Sequence, residues 1–279
     1  MHTLLDEAQV HYTACGNGSM VWRRWGNGKP LILLHGGSGS WTHWIKTVLA
    51  LRDEYTLWAV DLPGLGDSAM PDSPYTPQSC ANAFVNGFKQ LIAGDDAATL
   101  ICFSFGCHVG TLAATELNEY LCGLFIIGTA ALGLNQAQDI SLPKERADMS
   151  DSERNRVHHS VLSKLMFADA CKIDDQAVAL QALNVANARF RSREFANSAD
   201  VRDALANVRV PVKSIWGEQD IVARPDLDTC LATLRLHHPE LQHRTIANAG
   251  HWVMYEAADN FNIALRELLK MRSKREFVN

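Results

Sequence analysis

The stretch Thr99-Leu-Ile-Cys-Phe-Ser-Phe-Gly-Cys-His-Val-Gly110 constrains the chain most, because a strand-forming apolar run passes there into a helix-forming one with Ser104 at the corner. A strand that turns into a helix around a single serine holds that residue in a strained backbone conformation and lifts its hydroxyl above the sheet edge. So tight a turn leaves no room for bulk two positions to either side. Cys102 and Gly106 stand at those places, and Gly110 and Ala114 follow at four-residue spacing, a smooth helix face able to lie close on a sheet. The amino end of that helix directs its free amides at any negative charge that develops on a group bound to Ser104.

Around this corner the chain alternates. Two short strands, Gln9 to Ala14 and Met20 to Trp25, meet at the turn-forming Gly16-Asn17-Gly18 and predict a hairpin at a sheet edge. Leu31 to Leu34 has the continuous apolar character of a strand buried on both faces. It ends at His35-Gly36-Gly37-Ser38-Gly39-Ser40, which lacks both the P-loop and the dinucleotide-binding spacing but leaves backbone amides open to a ligand, as half of an oxyanion hole requires. Further strands are predicted at Tyr55 to Val60, Thr99 to Phe103, Leu124 to Ile127, Val210 to Trp216 and Gln242 to Ala247, with helices at Trp41 to Leu51, Gln78 to Ala93, Asp226 to His237 and toward Lys270. Strand–helix alternation of this kind builds a mostly parallel sheet of about eight strands with helices on both faces.

The alternation breaks between residues 132 and 207, where the pattern is helical. Ser150-Asp-Ser-Glu153 predicts a capping box opening a helix that runs toward Phe167, and Asp174 caps a second that reaches Phe195. The expected organisation is a core of residues 1–131 and 208–279 with residues 132–207 inserted as a helical lid that sheds water and shapes a pocket. Leu165, Met166 and Phe167 in this lid suggest an apolar group on the substrate.

Composition narrows the partners. A net charge of −5 offers no footing for nucleic acid or an anionic membrane. No segment is long enough to insert in a bilayer, and the opening Met-His-Thr-Leu-Leu-Asp-Glu has neither the charged nor the apolar part of a signal peptide. Seven cysteines, odd in number and without framework spacing, are expected as reduced thiols in the cytoplasm. The expected partner is a small-molecule substrate, with homo-oligomerisation left open.

In a parallel sheet the carboxyl ends of the strands share one edge, so Ser104, Asp220 and His251, all at strand ends, are expected to converge. That is what a nucleophilic triad needs: His251 takes the serine proton, and Asp220 fixes the imidazole tautomer. Glu218 is a second acidic residue in the same turn. Asp61 and Asp67 are taken as turn-forming, His35 as loop-holding and His108 as structural. His158-His159 and His237-His238 lack metal spacing, are expected on the solvated surface, and leave no metal or organic cofactor to be placed.

Five fragments in order, His35-Gly36-Gly37, Asp61-Leu-Pro-Gly-Leu-Gly-Asp-Ser68, Cys102-Phe-Ser-Phe-Gly106, Trp216-Gly-Glu-Gln-Asp220 and Gly250-His251-Trp252, resemble the α/β-hydrolase family over nearly the whole chain. The departure is Cys102, where the family places glycine. The resemblance implies Ser104 as nucleophile, Asp220 as acid, His251 as base and the amides of Gly37 and Phe105 as the oxyanion hole. It implies hydrolysis of a small ester, thioester or related carbonyl compound.

Within the family, His35 to Gly39 with Trp44, Arg189 in Asn-Ala-Arg-Phe on the second lid helix, and Trp252 also resemble the carbon–carbon bond hydrolases of aromatic ring cleavage, although Phe103 stands where those enzymes usually carry asparagine. By that resemblance Gly36, Ser38, Trp44, Arg189 and Trp252 would contact substrate. Perhydrolases and haloperoxidases use the same triad, and some proteins of this fold bind a ligand without turning it over.

Overall fold

The computed structural model describes residues 2–94, 96–134 and 141–271. Its eight strands are β1 (Gln9–Cys15), β2 (Gly18–Trp25), β3 (Pro30–Leu34), β4 (Thr56–Val60), β5 (Ala98–Phe103), β6 (Leu121–Ile127), β7 (Val212–Gly217) and β8 (Gln242–Ile246), in the spatial order β1-β2-β4-β3-β5-β6-β7-β8. The β1–β2 hairpin pairs antiparallel, and β2 joins β4 antiparallel. Every pairing from β4 across to β8 is parallel. This is the doubly covered, mostly parallel sheet of an α/β-hydrolase fold.

The side-chain period of two explains why the central runs are apolar throughout. Ile32, Leu34, Leu100, Cys102, Leu124 and Ile126 join one core cluster, while Leu31, Leu33, Ile101, Phe103, Phe125 and Ile127 join the other. Successive residues of one strand therefore feed opposite cores.

The helices are α1 (His2–Asp6), α2 (Ile45–Leu51), α3 (Pro77–Leu91), α4 (Phe105–Leu117), α5 (Asp151–Val161), α6 (Asp175–Ala186), α7 (Asp200–Leu205), α8 (Leu227–Arg235), α9 (Val253–Glu256) and α10 (Ala258–Lys270). Residues of α3, α4, α7 and α8 pack into the first cluster, and those of α2, α9 and α10 into the second. No helix among the described residues is long and apolar enough to cross a membrane.

Helices α5 to α7 lie between β6 and β7. The capping box forms: Ser150 Oγ accepts from the Glu153 amide at 3.4 Å, and the Glu153 carboxylate accepts from the Ser150 amide at 2.8 Å. Asp174 caps α6 through the Ala177 amide at 2.7 Å. The first helix reaches Met166 as its sequence pattern suggests, while the second stops short of Phe195. The first passes at Leu162 into a wider turn ending at Met166, and α6 stops at Ala186, followed by a separate short turn over Ser192–Phe195. Asn187 and the loop after it end the helical hydrogen bonding, so Arg189 lies beyond α6 and not on it. His158 is buried with Glu145 3.2 Å away, and His238 is buried against the Leu205 carbonyl at 3.1 Å, which corrects the expected solvated surface at both; His159 and His237 are exposed.

Candidate active site

Ser104 sits between β5 and α4 at φ 50° and ψ −115°, in the left-handed range that costs a non-glycine residue about 1–3 kcal/mol. The surroundings hold it there: the Ser104 amide donates to the Ile127 carbonyl at 2.9 Å, and its carbonyl accepts from Cys107 at 2.9 Å. Gly106 is obligatory, since a Cβ at that position would fall 2.7 Å from the His35 carbonyl oxygen. Ser104 Oγ lies 3.0 Å from His251 Nε2, and His251 Nδ1 lies 2.9 and 3.0 Å from the two oxygens of Asp220. A carboxylate only accepts, so Nδ1 carries the proton and Nε2 is left to accept from the serine hydroxyl.

Two loops bring Asp220 and His251 together. The amides of Glu218 and Gln219 donate to the carbonyls of Ile246 and Ala249, each at 2.9 Å, tying the turn before Asp220 to the loop before His251. Gly128, at φ 53°, lets this pair settle: a Cβ there would fall 2.9 Å from Asp220 Oδ2 and 3.0 Å from His251 Nδ1. Asp220 also accepts from the Val222 amide at 2.8 Å, and the imidazole of His251 rests on the Phe103 ring at 4.8 Å between centroids. Glu218 instead accepts from the Asn248 amide and does not reach the histidine.

The glycine loop after β3 is pinned by two imidazoles. His35 Nδ1 donates to the Gly36 carbonyl at 2.7 Å while its Nε2 accepts from Leu62 at 2.9 Å. His43 Nδ1 accepts from the Gly36 amide at 3.2 Å. Burial holds both histidines below the ordinary imidazole range, His43 well below it, so both stay neutral and can accept. The amides of Gly37 and Phe105 have no hydrogen-bond partner among the described residues. Ser192, from the segment after α6, occupies the space that a side chain on Gly37 would need. Neither His43 nor Ser192 has a motif that would single it out in the sequence; Ser192 acts from a distant segment, and His43 reaches back seven residues to Gly36.

Other residues expected at the site are placed differently. Trp44 is fully buried among Phe103 and Phe261, and Trp252 is 1% exposed with its indole N–H donating to the His43 carbonyl at 3.0 Å, so both support the site from beneath and offer a ligand no surface. Arg189 is exposed, its amide donating to Gly64 at 2.8 Å and its guanidinium to the Ser68 carbonyl. Gly36 is packed tightly, with the site of a Cβ 2.9 Å from the Phe103 ring and 3.1 Å from Ser104, and Ser38 stands at φ 48° in the same loop. Met166 and Phe167 are buried, Phe167 against Trp252 and Tyr255, which leaves Leu165 the partly exposed member of that trio.

Asp61 is a structural carboxylate. It accepts from Arg23 at 2.7 Å and from the amides of Trp41 and Asp67, while Arg23 also pairs with Asp67. His108 is buried, pushed down to about 4 by that burial, and packed on Phe105. Among the described residues no group of three or more His, Cys, Asp or Glu side chains is placed to hold a metal ion.

A family model described as the alpha/beta hydrolase family matches residues 31–264. A 2-hydroxy-6-oxo-6-(2'-aminophenyl)hexa-2,4-dienoic acid hydrolase of Metapseudomonas resinovorans is 25% identical over 260 residues, covering 89% of this chain and 86% of the relative. Solved structures with the same fold include a putative aryl esterase from Burkholderia cenocepacia, at TM-score 0.76 and 21% identity over 94% of this chain and 98% of that one. An esterase from Exiguobacterium antarcticum aligns at TM-score 0.75 and 18% identity, covering 94% of this chain and 100% of that one.

Proposed function

The chain belongs to the alpha/beta hydrolase family, and from that premise we propose that it is a serine hydrolase of small esters, thioesters or related carbonyl compounds. One observation carries the reading: Ser104 Oγ, His251 and Asp220 form a continuous hydrogen-bonded line of 3.0 and 2.9 Å, beside the amides of Gly37 and Phe105, which have no hydrogen-bond partner among the described residues. In the proposed cycle Ser104 Oγ attacks the carbonyl carbon as its proton passes to His251 Nε2. The amides receive the negative charge on the carbonyl oxygen. The leaving alcohol or thiol departs with the proton from His251, giving an acyl-enzyme and an imidazole ready to activate water. Water then attacks the ester, and the acid is released with Ser104 reprotonated. Residues 132–207 would act as the lid over this pocket.

Intact mass after treatment with a fluorophosphonate tests the reading. One adduct per chain, mapped to Ser104, is expected. It is lost in Ser104→Ala and slowed in His251→Ala, and turnover of p-nitrophenyl esters falls on the order of 10⁴-fold or more in both. A folded wild-type protein that takes no adduct sinks the mechanism and brings a ligand-binding role forward.

Carbon–carbon bond hydrolysis is the second reading, favoured by the similarity to the dienoic acid hydrolase over most of both chains. Loss of the absorbance of a 2-hydroxy-6-oxo-dienoate at a rate exceeding ester turnover would establish it. The engagement of Arg189 with Ser68 weighs the other way, because a guanidinium already bonded to a backbone carbonyl has fewer donors for a substrate carboxylate.

A further inference from the structure

His251 is held through the backbone amides of the residues on either side of it, and both lead to the segment between β6 and β7. The Trp252 amide donates directly to the Met166 carbonyl at 2.8 Å. The Gly250 amide donates to Glu256 Oε2 at 2.7 Å, and the same carboxylate accepts from Ala168, at 3.0 and 3.1 Å to its two oxygens, and from Asp169 at 2.9 Å. The Glu256 side chain is 0% exposed, and its nearest cation, Lys172 Nζ, stands 4.0 Å away. Gly250 is required for this approach, since a Cβ there would fall 2.6 Å from the Ala168 nitrogen and 2.7 Å from the Phe167 carbonyl carbon.

A fully buried carboxylate is costly unless its lone pairs are met, and here three backbone amides from two separate segments meet them. An amide side chain in its place would turn a donor toward at least one of those donors. Nothing in this cluster touches the reacting atoms.

We infer that Glu256 is a positioning residue for His251: it ties the Gly250 peptide to Ala168 and Asp169, so that the docked insertion and the correctly placed base are one state. The inference rests on the reading of His251 as the general base. It makes the segment Met166 to Asp169 a bracket for the catalytic histidine, which a lid free to swing at that point could not be. Tyr255 supplies the contrast, because its hydroxyl ties the insertion to the core through Asp174 Oδ1 at 2.8 Å without a hydrogen bond to the amide of Gly250 or of Trp252.

The test compares Glu256→Gln, Glu256→Asp and Tyr255→Phe with the wild type. The readouts are the fluorophosphonate labelling rate of Ser104, kcat and KM for a p-nitrophenyl ester, and the far-downfield proton resonance of His251 Nδ1–H. In Glu256→Gln the labelling rate and kcat are expected to fall together by roughly tenfold to a hundredfold, with KM within about twofold and the resonance shifted or lost. Glu256→Asp, which keeps the charge, should fall between, and it carries the test if Glu256→Gln does not fold. Tyr255→Phe should lower the melting temperature and leave labelling near the wild-type rate. Wild-type labelling in a folded Glu256→Gln, or equal slowing in Tyr255→Phe, overturns the inference alone. A wild-type protein that takes no adduct overturns the underlying assignment of the site and this inference with it.

Discussion

The sulfur of Cys102 occupies the space that a methyl group on Gly110 would need, so the departure from glycine at one position is absorbed by glycine at the other. Strand β5 and helix α4 approach each other closely behind Ser104, and the volume available there is shared between these two residues. In the wild-type background Gly110→Ala gains up to about 1 kcal/mol in helix propensity but loses about 1–3 kcal/mol to overpacking, and the second effect wins. With Cys102→Ala in place the Cβ of residue 102 stands 3.4 Å from the new methyl group and Leu34 Cδ1, at 3.1 Å, has only to give by a few tenths of an ångström, so the same substitution should become markedly less destabilising. Urea unfolding of the four proteins gives the coupling directly. Additive effects would show that the helix can shift away from the strand.

Gly37 and Ser192 form a similar pair across the insertion. A Cβ on Gly37 would run into Ser192 Oγ, while the Ser192 Cβ is 3.1 Å away. Gly37→Ala is therefore expected to displace the loop and its amide, with kcat falling roughly 10²- to 10³-fold, the usual effect of losing one oxyanion donor. Ser192→Ala removes the colliding oxygen and should restore part of the loss. Ester turnover that is unaffected in Gly37→Ala would mean that the Gly37 amide is no part of the site.

The seven thiols divide by burial. Cys122 and Cys171 are exposed, and the other five are buried, with Cys107 pushed up to about 12 and Cys15 and Cys230 to about 11. Burial away from water disfavours the thiolate, the reactive form, so proximity to Ser104 does not make Cys107 a nucleophile. Maleimide at neutral pH is expected to add twice to the native protein and seven times to the unfolded one. A third native adduct would place one of the buried sulfurs within reach of solvent.

These contacts show where sequence reading succeeds and where it stops. Ser104, Asp220 and His251 are visible because each closes a buried strand with a recognisable turn, and a parallel sheet carries all three to one edge whatever lies between them. Trp44 and Trp252 were placed against substrate by resemblance alone. An aromatic side chain beneath a site and one lining it look the same until burial is known. Arg189 is off the helix for another reason, since the apolar pattern of α6 runs past Ala186 and its stop signal is Asn187, the C-cap residue, a weaker one than a glycine or proline. Ser192 on Gly37 and Glu256 on Gly250 depend on how the insertion docks. That information is tertiary and has no period to detect.

Acid should destabilise the protein through the buried His35, His43 and His108 and, more weakly, the half-buried His243. His35 and His43 are held below the ordinary value of 6.5, and His108 and His243 are pushed down to about 4, in each case chiefly because burial disfavours the charged form. Between the folded and unfolded values the unfolded chain binds more protons than the native one, so unfolding free energy rises with pH across that window. The stability is fully present above about pH 6.5 and is lost as pH falls toward 4, at about 1.4 kcal/mol per unit of depression for a fully buried group. His43 adds a functional consequence: once protonated, its Nδ1 becomes a donor facing the Gly36 amide, and the pinned glycine loop loses an anchor. Urea unfolding at a series of pH values from 8 to 4.5 should show this slope, and His43→Gln should flatten it. A wild-type stability independent of pH below 6.5 would mean that these imidazoles reach water in the native state.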